Sequence, residues 1–242
     1  GGALGQFSLE SDQPFVGSQC QRLTFAEGTG KVGLANRGLN RWGMTFREGK
    51  PYEGYLWLRA RQPVGLSVSL EDISGEEVYA ESTLNVAGGD TWNRYEFDLV
   101  PNGNQTNGRF SVSLKQPGDV AIGHAFLQPG SWGRYKDLPV RRDVVEGLID
   151  QGITALRYGG SMVDNPPDYR WKNMIGPRDQ RVPYNGHWYD HSTNGWGILD
   201  FLDLCDSAGF TGIPCFSIDE TPEDMLDFLD YANSSADSRW GQ

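Results

Sequence analysis

The stretch from Ile153 to Trp196 reads ITALRYGGSMVDNPPDYRWKNMIGPRDQRVPYNGHWYDHSTNGW. It begins with a short apolar run, Ile153 to Tyr158, of the length expected for a strand buried on both faces. Gly159 and Gly160 then allow the backbone to turn sharply. A loop of roughly thirty-five residues follows, and connections of that length are usually functional or disordered.

The composition of this loop favours a ligand site over disorder. Its aromatic residues lie among Arg, Asp, Asn and His, and they are Tyr169, Trp171, Tyr184, Trp188, Tyr189 and Trp196. Such a mixture suits a polar ligand with apolar faces, and sugars are ligands of this kind. The alternative is an aromatic loop that packs against its own domain, and composition leaves both interpretations open.

Residues 1–130 are predicted to be all-β. Short runs of alternating apolar and polar residues are separated by polar turn clusters. The runs are QRLTF at 21–25, YEGYLWLRA at 52–60, GLSVSL at 65–70, RYEFDLV at 94–100, RFSVSL at 109–114 and VAIGHAFL at 120–127. Regular short strands without a helical period predict a β-sandwich of the jelly-roll kind.

One motif in this part is rejected. Gly28, Gly30 and Gly33 formally match GxGxxG, which in dinucleotide-binding proteins opens a helix and is followed by an acidic residue about twenty positions on. The residues that come next, LANRGLNRWGM, are turn and strand material. We therefore expect no nucleotide site and no cofactor.

The pattern changes after Pro129, and residues 131–242 are predicted to be α/β. Helices are expected near 139–151, where Asp137 and Pro139 open the helix, near 197–208, and near 222–232 after the capping box Thr221-Pro222-Glu223-Asp224. Strands are expected at 153–158 and 211–218, although Pro214 weakens the second. This alternation predicts parallel strands, and because two strands cannot close a barrel we expect a partial (β/α)8 TIM barrel.

Ligands of parallel α/β folds bind at the carboxyl ends of the strands. Those ends are Tyr158–Ser161 and Ile218–Glu220. The sequence therefore predicts that Ser161, the aromatic loop and the Asp219/Glu220 pair lie on the same edge.

Charge and composition exclude several classes of partner. The formal net charge of −11 argues against nucleic acid and against an anionic membrane surface, and no apolar run reaches the length of a membrane span. Three scattered cysteines form neither a disulfide framework nor a zinc site. His187 and His191 have helical spacing inside a turn-like segment, so no metal site is expected.

Four segments together resemble the α-L-arabinofuranosidases of glycoside hydrolase family 51. They are LRYGGSM at 156–162, DYRWKNMIGPRDQR at 168–181, NGWGILDFLDLCDSAGF at 194–210 and PEDMLDFLDYANSS at 222–235. LANRGLNRWGM and YEGYLWLRA resemble the carbohydrate-binding-module-like sandwich that some members insert near the start of the barrel. The resemblance implies a retaining glycosidase acting on arabinose-containing hemicellulose.

The resemblance also implies a substrate site, with departures from the family pattern. The implied substrate-binding residues are Arg157, Gly160, Ser161, Trp171, Trp188 and Glu220. The family's turn has a Pro that is missing after Tyr158, and Ser161 stands where many members carry Asn or Cys. Arg157 either contacts the sugar or holds the turn through backbone carbonyls.

The family's two catalytic glutamates, and its opening strand with a sugar-binding Glu, have no counterpart in these residues. Retaining hydrolysis needs two carboxylates about 5–5.5 Å apart, and Asp219 and Glu220, the candidates at a strand end, are adjacent in sequence. No catalytic residue is therefore predicted, and the chain alone is expected to be inactive. Glu220 either contacts substrate or simply leads into the next helix.

Three other hypotheses compete with this one. The chain would be a non-catalytic carbohydrate-binding protein, or an endo-acting β-glucanase or xylanase of the same family, or a protein whose sandwich is purely structural. The sandwich aromatics that could stack on sugars are Trp42, Tyr52, Tyr55, Trp57 and Trp92. Tyr55 and Trp57 share a strand face, and for Trp57 we favour the core over a sugar platform, since Leu56 and Leu58 compete for the same burial.

The expected partners follow from these hypotheses. They are arabinoxylan, arabinan or β-glucan, and a second chain that completes the barrel. The opening residues lack the charged and apolar regions of a signal peptide, which does not indicate the cytoplasm. We expect an extracellular or periplasmic protein.

Overall fold

The computed structural model describes residues 2–160, 168–186, 192–235 and 237. Strands dominate it, with few helices. The chain divides into two compact units, Gly1–Asp143 (unit 1) and Val144–Gln242 (unit 2). No helix among these described residues is long and apolar enough to cross a membrane.

Unit 1 contains two antiparallel sheets. Its strands are β1 (Leu4–Glu10), β2 (Cys20–Glu27), β3 (Val32–Asn36), β4 (Met44–Phe46), β5 (Tyr52–Arg59), β6 (Val64–Asp72), β7 (Val78–Val86), β8 (Asn93–Leu99), β9 (Gln105–Leu114) and β10 (Gly118–Pro129). The first sheet has the order β1-β2-β10-β5-β8, and the second has the order β3-β9-β6-β7 with β4 paired to β9. The prediction that this part is all-β is confirmed.

One apolar core joins the two sheets. Leu56 and Leu58 of β5 are 0% exposed and cluster with Leu66 and Val68 of β6 and Phe110 of β9. Burying one such side chain fully contributes about 1.5–3 kcal/mol. Alternation along the strands, with period two, therefore generates most of this core.

The core assignment favoured for Trp57 is wrong. Because side chains alternate along a strand, Leu56 and Leu58 face the core and Trp57 faces outward between them. The ring of Phe15 stacks on Trp57 at a centroid distance of 4.4 Å, so Trp57 is half-buried on the outer face. Tyr55 lies on that same face, as predicted.

Four strands of unit 1 were not predicted from the sequence, namely β1, β3, β4 and β7. β1 has no buried residue, and its apolar residues Leu4, Phe7 and Leu9 do not alternate regularly with polar ones. β3 begins at Val32, inside the stretch that formally matches GxGxxG, so Gly33 lies within a strand and no helix opens there. β4 has three residues, too few for a period to be visible.

Unit 2 alternates helices with two parallel strands. The helix α1 (Arg142–Asp150) precedes β11 (Ala155–Tyr158), and α2 (Ile198–Ala208), β12 (Thr211–Pro214) and α3 (Pro222–Asn233) follow. β11 and β12 pair in parallel register, Ala155 opposite Thr211 and Tyr158 opposite Pro214. The predicted parallel arrangement of these strands is confirmed.

The boundaries of these elements differ slightly from the predicted ones. α1 starts at Arg142 rather than near Pro139, because residues 138–140 form a bend in which Val140 N–H donates to Leu138 O, and Arg141 pairs with Arg134 in an isolated bridge. β12 ends at Pro214, four residues before the predicted end, since proline cannot donate to a sheet ladder. α3 begins with the predicted capping box, in which Asp224 N–H donates to Thr221 Oγ1 at 3.1 Å.

Candidate functional site

The carboxyl ends of β11 and β12 lie side by side, which is the edge that the sequence predicts for a ligand. Tyr158 and Pro214 are opposite each other in the register, and the backbone N–H of Cys215 donates to Tyr158 O at 2.8 Å. Gly159 and Gly160 turn the chain away from β11 at this point. The candidate site therefore starts at a fixed strand end.

Gly159, just after β11, has no room for a side chain. Its φ of 114° lies in the left-handed region, and a Cβ there would lie 2.7 Å from Cys215 Cβ and 2.9 Å from Tyr169 Oη. Gly160 also has a positive φ, 57°. A Cβ at Gly160 would lie 3.7 Å from Arg157 Nη2, so the exposed Arg157 side chain lies beside this turn.

Two aromatic residues of the long loop, Tyr169 and Trp171, pack into the core of unit 2. Tyr169 is 2% exposed and Trp171 is 1% exposed, and both belong to an apolar cluster with Met174, Ile198 and Phe228. Trp171 Nε1 donates to the backbone oxygen of Asp224 at 2.9 Å, which satisfies the indole in the interior. For these two side chains the structure supports the packing interpretation.

Glu220 is buried and holds the same segment. Its side chain is 3% exposed, and its Oε2 lies 3.1 Å from Arg170 Nε. Its Oε1 accepts a hydrogen bond from the backbone N–H of Trp171 at 2.9 Å. The carboxylate therefore connects the residues after β12 to the loop, while the neighbouring Asp219 is exposed.

Asp224 makes a second set of contacts between the loop and α3. Its Oδ2 accepts from Arg170 Nη2 at 2.6 Å and from the backbone N–H of Thr221 at 3.0 Å, and its Oδ1 accepts from Lys172 Nζ at 2.8 Å. The hydrogen bond from Lys172, followed by those from Thr221, lowers the pKa of Asp224 well below its usual range. One carboxylate thus caps α3 and anchors two loop cations.

Asp200 has the same role at the start of α2. It is 7% exposed, accepts from the backbone N–H of Gly197 at 2.8 Å, and pairs with both Arg178 and Arg181. Arg181 Nη1 lies 2.7 Å from Asp200 Oδ2 and donates to Asn194 O at 3.0 Å. The segment Asp168–Arg181 is therefore tied to the first turns of both helices.

Tyr158 closes the inner side of the strand end. Its hydroxyl donates to Trp196 O at 2.9 Å, and its ring stacks on Phe201 at a centroid distance of 5.5 Å. Burial, with smaller effects of the nearby Tyr184 and Asp200, raises its pKa to about 12. The phenol is thus a neutral hydrogen-bond donor at neutral pH.

The predicted site residues separate into three groups. Arg157 and Gly160 lie together at the exposed turn, whereas Trp171 and Glu220 contact each other in the interior. Ser161 and Trp188, together with Tyr189, His187 and His191, lie outside the described residues. Contact of these predicted residues with a sugar stays a prediction.

Several anchoring residues were not singled out from the sequence: Arg170, Lys172, Arg178, Arg181 and Asp200. Asp200 is the third residue of α2, where a carboxylate can accept from the N-cap backbone, so the sequence did contain a signal for it. Its arginine partners had no local signal, because they reach it across a loop. Among the described residues, no three His, Cys, Asp or Glu side chains are grouped to hold a metal ion.

Comparison with known proteins shows what the chain is similar to. Residues 148–242 match the family model described as the alpha-L-arabinofuranosidase 1 domain. Alpha-L-arabinofuranosidase 1 of Arabidopsis thaliana is 26% identical over 233 residues, which cover 88% of this chain and 34% of the relative. The extracellular exo-alpha-L-arabinofuranosidase of Streptomyces chartreusis is 24% identical over 241 residues, covering 86% and 28%.

A solved structure agrees with these matches at the level of the fold. The arabinose-bound MgGH51 α-L-arabinofuranosidase superimposes with a TM-score of 0.82 at 20% identity, over 98% of this chain and 43% of that chain. The chain is an α-L-arabinofuranosidase-like segment, and the resemblance inferred from its sequence is confirmed. It spans about a third of the length of the curated relatives that it matches.

Proposed function

We propose that the chain is a segment of a retaining α-L-arabinofuranosidase, and that unit 2 supplies one edge of its active site. The observation that most supports this is the shared end of β11 and β12, where the Gly159–Gly160 turn and the exposed Arg157 lie together. Enzymes with parallel barrels build their active sites from such strand ends. The names of the matched relatives support the choice of arabinofuranosides as substrates.

In this proposal the two parts of the chain have different architectures. Residues 1–130 form a carbohydrate-binding-module-like β-sandwich of the jelly-roll kind, and residues 131–242 form part of a (β/α)8 barrel. The two sheets around one core support the first assignment. The helix–strand alternation with parallel pairing supports the second.

The predicted sugar-binding residues are assigned two roles. Arg157, Gly160, Ser161 and Trp188 are proposed to contact the sugar. Trp171 and Glu220 are proposed to position the loop, because both side chains are almost fully buried and the Glu220 carboxylate accepts from the backbone N–H of Trp171. For Glu220, this division replaces the two roles left open by the sequence, contact with substrate or a lead into the next helix, with a positioning role.

Further strands are proposed to pack against unit 2. The apolar side chains Ile213 and Ile218, which are 50% and 72% exposed, lie on and just after β12. Leu226 and Leu229 of α3 are 66% and 56% exposed. Four large apolar side chains exposed on these strands and helices are expected to be covered by other polypeptide. Additional strands that complete the barrel would cover them.

The catalytic carboxylates are proposed to lie in that additional polypeptide. A retaining glycosidase uses one carboxyl group as acid and base and a second as nucleophile, about 5–5.5 Å apart. The Glu220 carboxylate already contacts Arg170 and the backbone N–H of Trp171, and the neighbouring Asp219 is exposed. This pair is therefore poorly suited to act as acid/base and nucleophile. The proposed substrates are arabinose-containing hemicelluloses, which are extracellular polymers, so we propose an extracellular or periplasmic location.

The test compares two proteins. The polypeptide encoded by the complete reading frame should hydrolyse 4-nitrophenyl α-L-arabinofuranoside, with the α anomer as the first product seen by ¹H NMR. The purified 242-residue chain should release no nitrophenol above the buffer rate. Ser161→Ala in the complete protein should lower kcat/KM about fivefold or more, because the variant loses one ordinary hydrogen bond to the sugar.

The same assays distinguish the alternatives. Hydrolysis of β-glucan or xylan without release of arabinose would replace this proposal with an endo-acting glycanase. Turnover by the 242-residue chain that is abolished by Asp219→Asn would place the chemistry within it. A complete protein that hydrolyses none of these substrates would overturn the enzymatic proposal.

A further inference from the structure

Unit 1 has a groove on the outer face of its first sheet. The groove has a volume of about 350 Å³ and is lined mainly by Glu53, Tyr55, Glu96, Asp98, Phe126 and Gln128. This volume lies within the range of small-ligand sites, about 300–1,000 Å³. The groove belongs to strands β5, β8 and β10 alone, and none of its residues takes part in the strand-end site of unit 2.

The strand register places aromatic and polar groups in adjacent rows. Tyr55 on the central strand β5 lies opposite Phe126 of β10 and opposite Glu96 of β8. Two residues before Tyr55 on β5, Glu53 lies opposite Gln128 of β10 and opposite Asp98 of β8. Residues opposite each other point to the same face, so an aromatic row and a row of oxygen and amide groups run side by side.

The aromatic row forms one wall of the groove. The Tyr55 ring stacks with Phe126 at a centroid distance of 5.2 Å and with His124 at 5.8 Å. The guanidinium carbon of Arg94 lies 4.0 Å from the centre of the Tyr55 ring. These contacts hold the Tyr55 ring in one orientation, which reduces the side-chain entropy that is lost when a ligand binds.

The polar row is held in place by its own contacts. Gln128 Nε2 donates to Glu53 Oε1 at 2.7 Å, and Arg134 Nη1 lies 2.8 Å from the same oxygen. Glu96 is 72% exposed at its side chain and is paired with Arg94 at 3.1 Å. The groove thus offers fixed carboxylate acceptors together with amide and guanidinium donors.

These groups match the surface of a neutral sugar chain. Sugar hydroxyls donate to carboxylates and accept from amides and guanidinium groups, while the C–H faces of the ring pack against aromatic side chains. Glu53, Glu96 and Asp98 disfavour an acidic polysaccharide, and so does the net charge of −11. We propose that this groove binds a neutral saccharide chain, independently of any hydrolysis by the site in unit 2.

The test measures binding by the whole 242-residue chain. Its migration in native gels containing arabinoxylan or mixed-linkage β-glucan should be slowed relative to plain gels, and calorimetry should give a Kd for the polymer that slows it. Tyr55→Ala removes the centre of the aromatic wall, and the Kd should rise about tenfold or more. Glu96→Ala removes one charged acceptor without touching the core, and the Kd should rise about tenfold.

Trp42→Ala is the matched control. Trp42 is 74% exposed and lies outside the groove, so its removal tests whether any surface aromatic would serve. The Kd of this variant should equal that of the wild type. If Tyr55→Ala fails to fold by circular dichroism, Glu96→Ala alone decides the outcome.

Three results would overturn the proposal. The first is that neither neutral polymer slows the chain. The second is that binding is unchanged in Glu96→Ala or is lost equally in Trp42→Ala. The third is that polygalacturonate or a lysine-rich peptide binds more tightly than both neutral polymers, which would assign the groove to a charged ligand.

Discussion

The carboxylate of Glu220 accepts a hydrogen bond from the backbone N–H of Trp171, with 2.9 Å between Oε1 and N. Both residues were predicted from the sequence to contact a sugar, and the structure shows them in contact with each other. The bond joins the residues that follow β12 to the loop that follows β11. Loss of this hydrogen bond should therefore lower the stability of unit 2.

We predict that Glu220→Ala lowers the free energy of unfolding by about 1–3 kcal/mol, because it leaves the backbone N–H of Trp171 without its acceptor and removes one of the two carboxylates beside Arg170. Glu220→Gln can still accept from Trp171 and should cost less. Urea unfolding followed by tryptophan fluorescence measures both. Asp219→Ala, at the exposed neighbouring position, is the control and should change stability by less than about 0.5 kcal/mol. Wild-type stability in Glu220→Ala would contradict the positioning role.

A second prediction concerns acid. Hydrogen bonds from Lys172 and Thr221 lower the pKa of Asp224 in the folded state, below the ordinary value of 3.8. A lowered folded pKa gives stability that is present above the unfolded pKa and is lost as the pH falls through the folded pKa. Asp224→Asn should therefore be less stable than the wild type at pH 7, and this difference should shrink below about pH 4.

Thermal unfolding of both proteins between pH 2 and 7 checks this expectation. Glu223→Gln, at the exposed position before Asp224 in the same helix, is the matched control. Its difference from the wild type should stay small across the range. A constant gap between Asp224→Asn and the wild type would show that the carboxylate's charge is unimportant.

The third prediction concerns alkali. Burial raises the pKa of Tyr158 to about 12 from an ordinary value of 10.0. A raised folded pKa gives stability that is present below the unfolded pKa and is lost as the pH rises through the folded one. Tyr158→Phe loses the hydrogen bond to Trp196 and should be less stable by about 1 kcal/mol at pH 8.

Between pH 10 and 12 the Tyr158→Phe variant should lose less stability than the wild type. Urea midpoints at pH 8 and pH 11 measure this difference, and tyrosinate absorbance reports the ionisation directly. Tyr135→Phe removes a phenol from unit 1 and serves as the control. Equal alkaline losses in wild type and Tyr158→Phe would refute the prediction.

The fourth prediction uses two glycines with positive φ but different surroundings. Gly159 has φ 114° and would place a Cβ 2.7 Å from Cys215 Cβ, whereas Gly176 has φ 77° and nothing within 4 Å. Gly176→Ala should cost about 1 kcal/mol, the strain of the left-handed conformation. Gly159→Ala should cost about 1–3 kcal/mol more, because the end of β11 must also move away from Cys215.

Thermal unfolding of the two alanine variants measures this difference. Equal costs at the two positions would show that the contact with Cys215 relaxes freely. In the complete protein, Gly159→Ala should also weaken sugar binding, since it displaces the turn beside Arg157.

The sequence predicted those elements whose periodicity is expressed locally. The alternation of β5 and the capping box of α3 each signal their element within a few residues. β7 also alternates, with Tyr79, Leu84 and Val86 buried, so its sequence contains the signal of a strand. β1 has exposed apolar residues and gave no comparable pattern.

The candidate site was harder to predict, because composition does not indicate which way a side chain points. Tyr169 and Trp171 could equally have lined a ligand site or a core, and only the packing of α2 and α3 distinguishes these cases. The pairs of Arg170 with Glu220 and of Arg181 with Asp200 connect residues far apart in the chain. No short-range pattern reveals such pairs.

The double attachment of the segment Asp168–Arg181 has a consequence for its opening. Arg170 and Lys172 bind Asp224 on α3, and Arg178 and Arg181 bind Asp200 on α2. The segment itself contains only short 3₁₀ turns, so its order depends on two helices that must already be formed. A protease should therefore cut within this segment only in molecules in which α2 or α3 has also opened, and the rate of this cleavage should report the opening of those helices.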